Sequence, residues 1–99
     1  MEPVNIENLK QFSKEGFRPN IIYMGTRFKI PLICMEDGQF IPPHPSAAGI
    51  FYVVEGTAEF TIVGEVKEVG AGSIVIASHG TERGIKAKGR LVVIAFHIT

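Results

Sequence analysis

The sequence predicts an all-β domain, a jelly roll or small barrel preceded by a short N-terminal helix or arm. Three observations predict it. Eleven Gly and six Pro cut 99 residues into short pieces. From Ile21 onward the pieces are rich in Val, Ile, Phe and Tyr. One of them, Ala58–Ile62, alternates apolar Ala58, Phe60 and Ile62 with Glu59 and Thr61, the pattern of a half-buried strand.

Each element follows in order. Residues 1–20 form the arm. There Asn5 is placed to cap a helix of about two turns in which Ile6, Leu9 and Phe12 stand three apart, with Gly16 as its stop. Residues 21–99 form the barrel. Ile21–Met24 is a short strand. Phe28–Met35 is longer and contains Pro31, which predicts an edge or a bulge. Glu36–Gln39 is a turn. Ile50–Val54 ends at Glu55-Gly56, and Ala58–Ile62 follows. Gly64 turns the chain into Val66–Val69. Gly70-Ala71-Gly72 breaks it again before Ile74–Ala77. Ile85–Ala87 is brief, and Leu91–Ile98 is the strongest strand pattern. Nine or ten short strands with tight turns are expected from this pattern.

Composition bounds the function. Hydrophobic residues make up 45% of the chain, enough for one core in one domain spanning residues 1–99. Ten Lys and Arg balance ten Asp and Glu, which argues against a nucleic-acid partner. No apolar run reaches the ~18 residues of a membrane span. The first ten residues lack the pattern of a secretory signal. Cys34 is the only cysteine and has no internal partner, so a reducing, cytoplasmic location is expected. Edge strands of a short open barrel need covering, and the apolar arm is expected to pack on its own barrel or on a second subunit. A homodimer is therefore expected.

Two segments carry a resemblance. Gly38-Gln-Phe-Ile-Pro-Pro-His44-Pro-Ser46, followed by Gly49-Ile-Phe-Tyr-Val-Val-Glu55-Gly56, resembles the first cupin motif, G-x5-H-x-H-x(3,4)-E-x6-G. Gly70-Ala-Gly72-Ser-Ile-Val-Ile-Ala-Ser-His-Gly80-Thr-Glu-Arg83 resembles the second, G-x5-P-x-G-x2-H-x3-N. The resemblance covers Tyr23 to Phe96. It implies a double-stranded β-helix, commonly dimeric, that usually holds one divalent metal. It also implies where ligands would stand. His44 matches the first His, Ser46 stands at the second, Gly49 at the Glu and Arg83 at the second-motif His. Ser78 replaces the motif's Pro, and its Asn falls on Ala87. One metal ligand of four is kept. A guanidinium offers no lone pair, and a first-row metal needs three or four N or O donors. No cofactor is expected; any metal site would have to be rebuilt around His44 with His97 or His79.

Other chemistry is open to these residues. If the resemblance holds, His44 and Ser46 share the face of one strand that lines the cavity opposite Arg83, and an Arg, a His and a Ser over an apolar floor suit a small organic anion. Arg83 either lines this pocket or joins Lys86, Lys88 and Arg90 in a solvated basic edge. His97 faces the barrel or a partner, as a structural or a functional group. Phe51 and Val53 are expected to point inward and Tyr52 outward. His79 is expected in a solvated loop and Cys34 as a small buried hydrophobe. Two functions follow. One is a metal-free cupin binding a small, possibly anionic molecule through His44, Ser46, Phe51, Arg83 and His97. The other is a cupin enzyme (an isomerase, lyase or dioxygenase-like protein) with His44 as general base or as part of a rebuilt metal site.

Overall fold

A computed structural model describes residues 2–99; Met1, the first residue of the expected arm, lies outside the described residues. Seven strands form in this span: β1 Asn20–Met24, β2 Phe28–Met35, β3 Phe40–His44, β4 Ala48–Ile62, β5 Glu65–Gly70, β6 Ile74–Ala77 and β7 Arg83–Ile98. All pairings are antiparallel, as the double-stranded β-helix requires.

Fewer strands form than the turn residues predict, because two of the glycine breaks are bends. Ile50–Val54 and Ala58–Ile62 are one strand, β4, whose register with β7 shifts on both sides of Glu55. Gly56 sits at this bend with φ +87°, and a Cβ there would collide with the Arg90 carbonyl oxygen. Only glycine lets the strand turn here without ending. Likewise Ile85–Ala87 and Leu91–Ile98 are one strand, β7, which passes through Gly89 at φ +82°.

The bends fold the single seven-stranded sheet into two halves. The first half of β4 and the second half of β7 pair with β6 and β2, with β1 outside β2. The other halves pair with β5 and β3. Pro31 lies in an internal strand rather than at an edge. It stands opposite Ile21, where the β1 register slips between Ile21 and Tyr23, so the irregularity falls on the neighbour.

Side-chain parity builds two cores. Inward residues Ile33, Met35, Phe51, Val53, Phe60, Leu91 and Val93 fill the barrel. Phe60 is almost wholly buried, which contributes about 2–3 kcal/mol. Outward residues Leu32, Cys34 and Val92 form a second cluster under Ile6, Leu9 and Phe12 of the arm. The arm therefore packs on its own barrel. Its helix is a correction: only one 3₁₀ turn forms, Ile6–Asn8, with the Glu7 amide donating to Asn5 Oδ1 at 2.9 Å. Tertiary contacts hold the rest in irregular structure. Lys10 bridges Glu7 and Glu55, Gln39 Nε2 donates to the Ser13 carbonyl, and the Arg90 guanidinium lies 4.1 Å from the Phe12 ring centroid. No helix among the described residues is long and apolar enough to cross a membrane.

Candidate functional site at the barrel mouth

The expected site residues converge. His44, Ser46, Phe51, Arg83 and His97 line one cavity of about 50 Å³ together with Ile33, Ile41 and Ile85. His44 ends β3 and pairs with Arg83 at the start of β7. Phe51 comes from β4 and His97 from the far end of β7. The Phe51 ring meets His97 edge-on at 5.9 Å and Phe60 at 5.5 Å. Tyr52, between the inward Phe51 and Val53, is 40% exposed.

Ser46 is a correction. It does not share a strand with His44, because β3 ends at His44 and Ser46 lies in the turn before β4. Pro45 has no amide hydrogen with which to continue the ladder. The Ser46 carbonyl is used instead, accepting from the Gly80 amide at 2.8 Å.

Arg83 points inward, not into the basic edge. It is 3% exposed, while Lys86, Lys88 and Arg90 are exposed. Its partners are backbone carbonyls: Nε donates to Thr81 at 2.7 Å, Nη1 to Ala47 at 2.8 Å, and Nη2 to Ser78 at 2.9 Å and Ser46 at 3.4 Å. Four of the five N–H groups of a guanidinium are thus committed. Arg83 makes no ion pair among the described residues. Its charge is held in place by carbonyl dipoles, and it ties the turn before β4 to the loop before β7. One N–H remains for anything in the cavity, so a bidentate grip on an anion is not available to it.

The two cavity histidines differ. His44 is exposed, and its Nδ1 lies 2.9 Å from the Pro42 carbonyl oxygen. A carbonyl only accepts, so Nδ1 is the donor in this contact. His97 is half-buried. Desolvation first, then the charges of Lys29, Arg83 and His44, push its pKa below the usual histidine value. It is therefore a neutral imidazole at neutral pH.

His97 and Ser46 also line a second recess of about 330 Å³ at the barrel mouth. It is bounded by the β1–β2 turn at Met24, Gly25, Thr26 and Phe28, by Lys29, and by Ala47. Lys29 pairs with His97 across β2 and β7. This recess is not legible in the sequence, since the β2–β7 register that brings Lys29 to His97 has no local signal. His79 sits in the exposed turn after β6 and lines neither recess.

The metal-ligand positions do not fit a metal. His44 is the one imidazole among them, Ser46 offers only a neutral hydroxyl, Gly49 has no side chain, and the guanidinium of Arg83, 3.2 Å from where a Cβ of Gly49 would stand, has no lone pair. Among the described residues no three His, Cys, Asp or Glu side chains are grouped to hold an ion.

Comparison with known proteins agrees with this architecture. The family model described as "Cupin domain" matches residues 31–98. No curated protein matches the sequence. Among solved structures, the TT1209 protein from Thermus thermophilus is 16% identical with a TM-score of 0.90, covering 99% of this chain and 98% of its own. An RmlC-like cupin from Desulfovibrio desulfuricans is 24% identical with a TM-score of 0.84, over 98% and 96% of the two chains. KdgF from Halomonas sp. is 25% identical with a TM-score of 0.79, over 97% and 91%.

Proposed function

The chain belongs to the cupin family, and on that premise we propose that it binds a small organic anion at the mouth of its barrel without a metal at the family's ligand positions. The observation that carries this reading is the place of His97. It lines both the inner cavity and the larger recess, with Lys29 on one side and Arg83 on the other; among the described residues no Asp or Glu side chain lines either space, and Thr99 borders the recess. The inner cavity of about 50 Å³ has room for a water molecule or two. An organic ligand therefore sits in the mouth recess. There Lys29 supplies the mobile charge, Arg83 a fixed background charge, and His97 and Ser46 neutral hydrogen-bonding groups.

An enzyme reading has its own support. A neutral imidazole facing a recess between two cations can take a proton from a bound anion, which is general-base chemistry. On this reading His97 has a stronger claim to the role of base than the exposed His44, because desolvation and neighbouring cations keep it unprotonated.

Ligand-observed NMR with a panel of three- to six-carbon hydroxy- and keto-acids tests the binding reading. Binding is expected to be lost in His97→Ala and reduced about tenfold or more in Lys29→Ala. Absence of binding across the panel, or equal binding by both variants, would overturn it. Elemental analysis of untagged protein showing one equivalent of transition metal, lost in His44→Ala, would overturn the metal-free part. Turnover of a bound acid, abolished in His97→Gln while binding is kept, would establish the enzyme reading.

A further inference from the structure

The mouth recess has an apolar neighbour. Phe28, 41% exposed, lines both the recess and a larger groove of about 690 Å³, so the two spaces meet at its ring. Strand parity explains the meeting. Lys29 pairs with His97 at the mouth, and the preceding Phe28 takes the opposite face beside Ile98. Tyr23 stacks on Phe28 with ring centroids 5.3 Å apart, which steadies the shared ring. The groove lies between arm and sheet: Val4 and Ile6 come from the arm, and Ile22, Ile30, Ile94 and Phe96 from the sheet.

Charge is divided between the two spaces. The recess holds Lys29 and His97. Among the described residues no Lys, Arg or His lines the groove, and its one carboxylate is Glu2, near the start of the arm. We propose that the anion held at the mouth is amphipathic: a straight-chain carboxylate whose head lies with Lys29 and His97 and whose alkyl tail passes over Phe28 into the groove. The proposal rests on the anion reading above and adds the class of anion. Two arguments favour this occupant. Ligand sites of about 300–1,000 Å³ are mostly apolar, with a few polar groups that fix orientation. Here the polar groups stand in the recess and the apolar surface in the groove. The orientation is also determined, because a carboxylate in the groove would lose its water without gaining a cation, while at the mouth Lys29 pairs with it.

Calorimetric titration of the full chain with butanoate, hexanoate, octanoate and decanoate, all below micelle formation, tests it. Affinity is expected to rise about two- to fourfold with each added methylene. Decylammonium, with the same tail and the opposite head, is expected to bind at least about tenfold more weakly than decanoate. Lys29→Ala is expected to weaken every acid about tenfold and keep the gain per methylene. Val4→Asp and Phe28→Ser are each expected to lose most of that gain; both side chains are substantially exposed, and circular dichroism checks that the variants fold. Equal affinity at all chain lengths, as a groove closed by a second copy of the chain would give, overturns the inference and leaves the anion reading standing. So does a gain per methylene that survives both tail substitutions. Decylammonium binding as tightly as decanoate overturns it as well, since the apolar surface alone would then be at work. No binding by any acid, including the hydroxy- and keto-acids, overturns both.

Discussion

Gly49 lies against the guanidinium of Arg83: a Cβ on Gly49 would stand 3.2 Å from Arg83 Nη1 and 2.9 Å from ring atom Cε2 of Phe51. These two positions are the ones at which cupin motifs place a Glu and a His. Here the change at one makes room for the change at the other. A large cation occupies the centre, and the strand beside it gives up its side chain. At this end of the barrel one side chain holds four carbonyls from two loops.

The first prediction tests that fit. Gly49→Ala adds one methyl where the Phe51 ring and Arg83 must both give way. Overpacking of this kind costs roughly 1–3 kcal/mol. Urea denaturation is expected to show a loss in that range with an unchanged m-value. A loss below ~0.5 kcal/mol would mean that Phe51 and Arg83 are free to move apart.

Arg83 itself is the second test. Arg83→Met keeps the apolar stem but leaves the carbonyls of Thr81, Ala47 and Ser78 without their donor. Hydrogen bonds to a charged group are worth about 1.5–3 kcal/mol each, and water reaches the two loops in part. The expected net loss is about 2–4 kcal/mol. Arg83→Lys should recover less than half of it, because an ammonium cannot reach the same set of carbonyls at once. Full rescue by Lys would show that charge, not geometry, holds the loops.

The arm gives a third. Cys34 is buried beneath it, and Phe12 packs on the same cluster. Phe12→Ala removes the ring that Arg90 covers and thins that lid. The Cys34 thiol is expected to react with an aromatic disulfide reagent at least about tenfold faster in the variant under native conditions, as local opening becomes easier. Equal rates would mean that the thiol is reached only by global unfolding.

How much of this was legible in the sequence depends on the kind of signal. Strand parity was legible: the inward Phe51 and Val53 and outward Tyr52 follow from alternation alone. The grouping of His44, Ser46 and Arg83 came through the motif spacing, while Phe51 entered by strand parity and His97 by its place in an apolar strand. Continuity was not legible. Gly56 and Gly89 read as breaks because glycine marks both a turn and a bend, and the difference rests on partners distant in the chain. The helix over Ile6 to Phe12 failed for the same reason: its three apolar residues serve Leu32, Cys34 and Val92 from a single 3₁₀ turn and the irregular segment after it. Gly49 read only as a missing carboxylate, since nothing local shows that Arg83 needs the room. Pairings such as Lys29 with His97 depend on register between strands far apart in sequence.

The last prediction concerns pH. Burial and the charges of Lys29, Arg83 and His44 lower the His97 pKa in the folded protein. In the unfolded chain it titrates near ~6.5. Above that value neither state binds the proton and His97 leaves stability unchanged. As pH falls below it, the unfolded chain takes up a proton that the folded protein refuses, so stability falls with acidification until the folded pKa is passed. The slope for one proton is at most about 1.4 kcal/mol per pH unit. Glu36, held low by Arg90, acts in a separate window below its ordinary value of 4.5. Urea denaturation between about pH 7.5 and 5 is expected to show the decline in the wild type. In His97→Gln, which keeps a polar side chain of similar reach, it should flatten. His44 and His79 remain in both proteins, so the difference between the two curves belongs to position 97. Parallel curves would show that His97 binds its proton equally in the folded and unfolded states, and would remove the lowered pKa that sets His97 apart as the base.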